Sequence, residues 1–404
     1  MPTLNITSLF PFRRLNFIDS EHINFEYGTG KVIELKPDLR FIPICSYCNT
    51  KGVGRHSNHQ RFLRDLSLGS HQTLVHLHYR KIQCPVCDQI AVEELDIAEP
   101  GGPRVTRRLA VYIQQLCKIM TVKDVAEHLH LDWKTVKEID KQGLQRQFTD
   151  TDYNGLRCLA VDEISYGKHH RYLTTVIDFE TGRIVWVGKD RKYETLKEFF
   201  LKMPKEARNQ IKAVAMDMWD PFIKAVSELC PQAAIVFDLF HIVAQYGKVI
   251  DEVRRAETRA ATEADKNVIK GSRWILLKNL ENLKETEVPR LEKLLSVNKN
   301  LAAVYILKDE LKTIWHCPDR QHMTKTLDGW CSKALESGIP ALQQFVKTLR
   351  RHEYGILNHA DYPIHTGKLE GINNKIKVIK RQAYGFHDLE YFILKIKQAC
   401  PGKR

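Results

Sequence analysis

The sequence predicts a multidomain α/β protein, and three patterns along its 404 residues lead to this prediction. Two CxxC pairs lie within residues 41–97, and residues 105–147 repeat apolar positions at helical spacing. Residues 156–243 alternate short apolar runs with amphipathic segments, whereas the charged stretch from about 245 to 355 has only a helical pattern. We therefore predict domains at 1–98, 104–150 and 156–404, the last with a helical insertion at about 245–355, and a linker, EPGGPRVTRR, at 99–108.

The composition indicates a globular protein with an anionic partner. Hydrophobic residues make up 43% and charged residues 27% of the chain, and no apolar run reaches transmembrane length. The N-terminus has no apolar signal region, so we expect a cytoplasmic protein. The net charge of +13 favours a polyanion, most often nucleic acid. The ten cysteines do not read as a disulfide scaffold in such a chain.

The two CxxC pairs, CSYC and CPVC, predict a zinc ribbon in the first domain. Each pair can present two thiolates, and four thiolates complete the tetrahedral set that structural Zn²⁺ prefers. Residues 74–81 alternate as in a strand that leads into the second pair. Redox cysteines are the alternative, but no βαβ context surrounds either pair; His56 and His59 are alternative ligands, better explained as surface residues. The predicted zinc ligands are Cys45, Cys48, Cys84 and Cys87.

Residues 121–147 have the spacing of a helix-turn-helix. Ala126 is the small residue where the helices cross, His130 occupies the turn, and Asp132 or Thr135 caps the second helix. Three-helix units that bind no DNA share this periodicity, but a basic cluster just before the segment favours DNA binding. The residues predicted to contact DNA here are Arg104, Arg107, Arg108, Lys134, Thr135, Lys137 and Lys141.

The third domain begins with a strand and helix order expected of a ribonuclease-H-like core. A strand at 157–165 runs into Asp162, two strands occupy 171–190, and a helix follows at 193–204. A further strand ends in Asp217, a helix follows, and a fifth strand is predicted at 233–243 with Asp238 and His241 near its end.

Asp162 and Asp217 are predicted to share a metal site because each ends an apolar strand, where an unpaired carboxylate is unfavourable. Two close carboxylates repel unless a cation joins them, and Mg²⁺ favours carboxylates together with substrate phosphates. Two Mg²⁺ ions, or Mn²⁺ in their place, can activate a water or a 3′-hydroxyl for attack on a phosphodiester. This chemistry needs a third acid, and Glu370 supplies it.

Glu370 stands in a basic stretch, HTGKLEGINNKIKVIKR, at 365–381. As a helix, this stretch buries Ile372, Ile376 and Ile379 on one stripe and places Glu370 at the head of a second. A solvated basic helix with an incidental Glu is the plain alternative. The predicted DNA-contacting residues of this helix are Asn374, Lys377, Lys380 and Arg381.

The remaining acids of the region are assigned other roles. Strand alternation points Glu163 to the opposite face from Asp162, which favours a structural role. Asp220 is expected to cap the helix that it begins. Asp238 is the rival metal ligand, and together with His241 it is predicted to support the site from behind.

The motifs AVDEIS, AMDMWDPF, FDLFHIV and GKLEGINNKIKVIKRQAYGF follow the cysteine pairs and the helix-turn-helix in that order. With this order the chain resembles, from about residue 40 to 396, the bacterial insertion-sequence transposases of the ISL3 family. The resemblance implies a ribonuclease-H-like DDE domain with a helical insertion before the last acid. It also implies Mg²⁺-dependent cutting and joining at terminal inverted repeats, with the triad on Asp162, Asp217 and Glu370.

The expected function is therefore a DNA transposase that binds the terminal inverted repeats of its element and then a target DNA. Because two ends are cut together, we expect at least a homodimer on DNA, working at the bacterial nucleoid and not at a membrane. One alternative is a ribonuclease-H-like nuclease that cuts without joining. Another is a domesticated protein that only recognises or represses DNA.

Overall fold

The computed structural model describes residues 12–25, 28–51, 54–69, 71–167, 171–364 and 367–403. The chain divides into two compact units, Met1–Thr149 and Asp150–Arg404. None of the helices in the described ranges has the length and apolar character needed to cross a membrane.

The first unit begins with a mixed β-sheet in the order β1-β2-β4-β3, and β5 pairs with β4. Thr73, Val75 and Leu77 are buried while their neighbours on β4 are not, so one face of the sheet covers a core. The β2–β4 pair is parallel and the other pairs are antiparallel. The strands are β1 (Leu15–Phe25), β2 (Gly28–Pro37), β3 (Gly54–Leu68), β4 (His71–Gln83) and β5 (Ile90–Val92).

Three helices complete the first unit: α1 (Arg107–Leu116), α2 (Val122–Leu129) and α3 (Trp133–Gln147). The predicted cap of the last helix is confirmed, because the Asp132 side chain accepts a hydrogen bond from the Thr135 N–H. His130 lies in the left-handed region at φ 51°, so the turn accommodates its side chain without glycine. Ala126 is buried where the helices pack, as predicted.

The second unit has a five-stranded sheet in the order β10-β9-β6-β7-β8. The predicted fifth strand ends six residues too late, since β10 ends at Phe237. Asp238 caps the next helix through the Phe240 N–H, so the apolar run that follows is helical and His241 lies on a helix. The strands are β6 (Cys158–Gly167), β7 (Arg171–Asp178), β8 (Ile184–Lys189), β9 (Ala213–Met216) and β10 (Ala234–Phe237).

Helices cover both faces of this sheet. Leu159 and Val161 of β6 pack with α4 and α6 on one face, whereas Ala160 and Ile164 pack with α15 and α16 on the other. Alternation along β6 thus decides which helices each of its side chains meets. These helices are α4 (Tyr193–Lys202), α5 (Lys205–Asn209), α6 (Asp220–Leu229), α15 (Gly367–Gln382) and α16 (Leu389–Ala399).

The predicted insertion is helical and begins slightly earlier than expected, at Leu239. The Tyr246 hydroxyl donates to the Val304 carbonyl at 2.9 Å, and the Trp330 indole donates to the Leu307 carbonyl at 2.9 Å, both in a buried core. The helices are α7 (Leu239–Ala260), α8 (Glu263–Ile269), α9 (Arg273–Leu277), α10 (Val288–Val297), α11 (Lys299–Thr313), α12 (Arg320–Glu336), α13 (Pro340–Arg351) and α14 (Glu353–Leu357).

Candidate functional site

Asp162 and Asp217 lie at the same level along two adjacent strands of the second sheet. Strands β6 and β9 are parallel, and their last registered pair is Ala160 with Ala215. Each aspartate lies two residues beyond its member of that pair: Asp162 is within β6, where it is registered with Thr175 of β7, and Asp217 directly follows β9. Strand alternation puts both on the side of the sheet that α15 covers. Both are half-buried.

Each aspartate is oriented by the main chain. One oxygen of Asp162 accepts from the Glu163 N–H at 2.7 Å, and one oxygen of Asp217 accepts from the Met218 N–H at 2.7 Å. The second oxygen of each faces a side chain from another element: Asn373 Nδ2 donates to Asp162 Oδ2 at 2.6 Å, and His241 Nδ1 lies 3.4 Å from Asp217 Oδ2. Both carboxylates are therefore held in defined orientations.

His241 lies between two acids at the start of α7. Its Nε2 atom is 3.7 Å from Asp238 Oδ2, while Nδ1 faces Asp217. The Asp238 side chain is 6% exposed and caps the helix. The pair predicted to support the site thus contacts Asp217, with the imidazole as the connecting group.

Glu370 lies in the first turn of α15 and is exposed. Among the described residues, the groups of three or more candidate ligands whose atoms lie within 4.8 Å of one another do not include Asp162, Asp217 and Glu370. The structure therefore places the two aspartates side by side, Asp162 within β6 and Asp217 directly after β9, and leaves Glu370 one helical turn from Asn373, which contacts Asp162.

Asn373 contacts the candidate site, and the sequence prediction missed it. Its amide nitrogen donates to Asp162, and within the described part of the chain its buried Oδ1 atom has no hydrogen-bond partner. A buried carbonyl oxygen without a donor is unfavourable by about 1–3 kcal/mol, so it suits a site where a cation or water can bind. Its position three residues after Glu370 was the available signal.

Two neighbouring acids have other partners. Glu163 pairs with Arg191 at 3.1 Å. Burial raises the pKa of Glu163, and the charges of Asp162 and Asp217 add to the rise while Arg191 opposes it. Asp220 is not the predicted cap, because Trp219 holds that position and no side chain caps the helix. Asp220 instead pairs with Arg351 at 3.2 Å.

The polar stripe of α15 faces outward. Glu370, Asn374, Lys377 and Arg381 are exposed, whereas Ile376 is fully buried. The Lys380 side chain is half-buried, and its Nζ lies 3.4 Å from the Ser165 carbonyl. The exposed amide, ammonium and guanidinium groups of this stripe are of the types that bind phosphates.

The predicted DNA-contacting residues of the first unit fall into two groups. Lys134 and Arg104 are exposed, and Thr135, Lys137 and Lys141 are half-buried along α3. Arg107 and Arg108 are held by acids of the same unit: Arg107 pairs with Glu94 at 2.7 Å, and Arg108 pairs with Asp65. These two guanidinium groups therefore also have a structural role.

The four cysteines of the CxxC pairs converge. Their sulfur atoms all lie within 4.8 Å of one another, with Cys45 and Cys87 at 3.7 Å and Cys48 and Cys84 at 3.5 Å. All ten cysteines of the chain are free. The hydrogen bond with the Thr50 hydroxyl lowers the pKa of the Cys48 thiol to about 6, whereas burial raises that of Cys87 to about 12.

Two matching turns bring the sulfur atoms together. Asn49 and Asp88 follow the second cysteine of each pair and have φ values of 58° and 52°. Asn and Asp tolerate this left-handed conformation better than most side chains. The Asn49 N–H donates to the Cys45 carbonyl at 2.9 Å, which closes the first turn. His56 and His59 lie on β3 and are not members of the cluster.

Comparison with known proteins gives consistent matches for both units. A family model of the DDE ISL3 type, described as transposase, matches residues 159–396. A model described as the helix-turn-helix domain of transposase family ISL3 matches residues 93–143.

Curated relatives match over nearly their whole length. The chain is 39% identical over 388 residues to the transposase for insertion sequence element IS1001 of Bordetella parapertussis, which covers 95% of each chain. It is 28% identical over 436 residues to the transposase for insertion sequence element IS1557 of Mycobacterium tuberculosis (strain ATCC 25618 / H37Rv), covering 97% of this chain and 96% of the relative.

Proposed function

Because this chain belongs to the ISL3 family of transposases and is a DDE-type DNA transposase, we propose that Asp162, Asp217 and Glu370 are its catalytic acids. The observation that carries the proposal is the pairing of β6 with β9, which sets Asp162, within β6, beside Asp217, directly after β9, on the side covered by the helix that bears Glu370. The strand order, with β6–β8 antiparallel and β9 and β10 parallel to β6, supports a ribonuclease-H-like core.

The site residues fit divalent Mg²⁺ or Mn²⁺. Asp162 and Asp217 offer half-buried oxygens, and the buried Asn373 Oδ1 without a partner in the described chain adds a neutral oxygen beside them. Mg²⁺ uses one or two carboxylates with waters and substrate phosphates, so three touching acids are not required beforehand. When bound, such ions supply charge neutralisation at the phosphate and activation of the attacking oxygen.

The chain's own residues position the reacting groups. The Glu163 and Met218 N–H groups and the side chains of Asn373 and His241 fix the two aspartates. The exposed stripe of α15 holds the DNA backbone next to them. In the first step water breaks a phosphodiester bond and leaves a 3′-hydroxyl at the element's end. In the second, that hydroxyl attacks a phosphorus of the target DNA and displaces a target 3′-oxygen.

The first unit recognises the terminal inverted repeats in this proposal. Helix α3 presents Lys134 and Thr135 at its N-terminal end, where recognition helices contact base edges. The cysteine cluster binds one structural Zn²⁺ in a zinc ribbon, since four sulfur atoms within 4.8 Å form a complete tetrahedral donor set. We expect at least a dimer on DNA, because two element ends are cut together.

The test uses a labelled duplex that carries the inverted repeat flanking the gene, a supercoiled target plasmid and Mg²⁺. Wild type should cut at the repeat end and join the end to the plasmid, and Asp217→Asn should bind the duplex without cutting. The matched control is Asp220→Asn, because Asp220 lies three residues along the chain and pairs with Arg351.

Equal cutting by wild type and Asp217→Asn would reject the assigned site. Cutting without joined product would make the protein a nuclease in this reaction, and binding without cutting would favour a DNA-recognition role alone. These outcomes distinguish the three functions that the sequence predicts: a transposase, a nuclease that does not join DNA, and a protein that only recognises DNA.

A further inference from the structure

A second group of candidate metal ligands lies on the outer face of the N-terminal sheet. The ligand atoms of Glu34, His76 and His78 all lie within 4.8 Å of one another. We propose that these three side chains form a second metal site, separate from the cysteine cluster, for a divalent transition-metal ion such as Zn²⁺ or Co²⁺.

Strand register, not a loop, brings the three residues together. Glu34 on β2 is the registered partner of His76 on β4, and His78 is two residues further along the same strand. Val75 and Leu77, between and beside the histidines, are buried at 0% and 1% exposure. Because side chains alternate, His76 and His78 both stand on the opposite face next to Glu34, where the ladder fixes their spacing.

Two imidazoles and one carboxylate are a donor set for borderline divalent metals. Such a set occupies three coordination positions of the ion and leaves the remaining positions for water or another ligand. The side chains of Glu34 and His78 are 28% and 27% exposed, so the site is half-buried but open to solvent. An ion can therefore enter and keep part of its hydration.

The contacts within the group leave room for a metal. The His78 Nε2 atom is buried and 2.9 Å from Glu34 Oε1, yet it makes no well-oriented hydrogen bond within the described residues. Lys36 Nζ lies 3.0 Å from the same oxygen, and its hydrogen bond lowers the pKa of the Glu34 carboxyl. The Lys36 side chain is 45% exposed, so it can turn into solvent when a metal ion takes its place.

The surrounding residues hold the His76 ring. Its Nε2 atom lies 3.2 Å from Gln60 Oε1, and the Phe62 ring stacks on it at 4.6 Å with an interplanar angle of 13°. Metal-binding histidines usually have an acceptor for one ring nitrogen, which fixes the tautomer and leaves a lone pair on the other. Gln60 can serve as that acceptor.

A metal here would link two hairpins. Glu34 belongs to the β1–β2 hairpin and the histidines to the β3–β4 hairpin, which meet through the parallel β2–β4 ladder. A ligand that binds the folded sheet and not the unfolded chain stabilises the sheet by mass action. The site would thus strengthen the join between the hairpins.

The test measures bound metal in the full-length protein after zinc loading and dialysis. Wild type should retain two equivalents, the double variant His76→Ala/His78→Ala one, and the control His59→Ala two, because His59 stacks on Tyr79 on the same sheet outside the group. Equal zinc content in the wild type and the double variant would overturn the proposal.

Cobalt spectroscopy separates the two sites. Only a site with thiolate ligands gives sulfur-to-cobalt charge-transfer absorption, so the double variant should keep this band and lose a component of the ligand-field spectrum. Identical cobalt spectra for the folded wild type and the double variant would contradict the assignment.

A variant that keeps all three ligands guards against misfolding. Lys36→Met removes the competing cation and should tighten cobalt binding at this site by up to about fivefold. Lys31→Met is the control. Lys31 lies on the same strand, an odd number of residues from Glu34, so its side chain points to the other face of the sheet. Unchanged cobalt affinity in Lys36→Met would count against the site.

Discussion

The cysteine cluster and the proposed catalytic acids are both metal-type donor sets, yet they are assembled to different degrees. The four sulfur atoms lie within 4.8 Å of one another, whereas within the described residues the three acids do not form such a group. Two local turns determine the position of the cysteines. The acids come from two strands and a helix far along the chain, and three carboxylates repel one another without cations. Folding alone therefore brings the four sulfur atoms together, whereas in our proposal substrate and metal complete the set of acids.

The largest effect should come from breaking the cysteine cluster. Cys84→Ser should lose one zinc equivalent and unfold the N-terminal sheet, because structural zinc contributes roughly 10–16 kcal/mol in zinc-finger peptides. The control is Cys331→Ser, which changes a buried cysteine of the helical insertion. This variant should retain the zinc of the cysteine cluster. Metal analysis and limited proteolysis measure both. A folded, protease-resistant Cys84→Ser protein would show that the N-terminal sheet folds without a metal at the cysteine cluster.

The catalytic site should be sensitive to a residue that only positions its ligands. Asn373→Ala should slow cleavage by about 10–100-fold and raise the Mg²⁺ concentration needed for half-maximal rate, because Asp162 loses its donor. Binding of the repeat duplex should stay unchanged. Asn374→Ala is the matched control on the exposed face, and equal Mg²⁺ dependence in both variants would remove Asn373 from the site.

The smallest effect should come from the exposed stripe of α15. Lys377→Ala and Arg381→Ala should each reduce the slope of log affinity against log salt by about 1, since each removes one phosphate contact. Lys368→Ala is the control, because Lys368 already donates to the carbonyls of Phe179 and Glu180. Equal slopes for all three variants would mean that the stripe does not contact DNA.

Local patterns predicted most of the fold. The strands before Asp162 and Asp217, the helix-turn-helix with its Asp132 cap, and the helical insertion all lie close to their predicted positions. Their signals are contained in short windows of sequence. The run at 233–243 was misread because four to eight apolar residues fit a strand or a helix equally, and the Asp238 cap decided between them.

Contacts between distant segments could not be predicted. Asn373 and Asn374 are adjacent in sequence but point about 100° apart on a helix, so only the packing of α15 decides which one meets Asp162. Arg108 donates to Asp65 because α1 packs against β3, and Glu34 lies beside His76 because of the β2–β4 register. No local pattern specifies these pairings.

The most direct test of the account compares wild type with Glu370→Gln, which keeps the side chain's size and removes its charge. With Mg²⁺ and the labelled repeat duplex, wild type should cut at the repeat end. The variant should bind equally but cut at least about a hundredfold more slowly, because a metal ligand contributes several kcal/mol to the transition state. Equal cutting by the two proteins would contradict the assignment of the third acid and make Asp238 the next candidate.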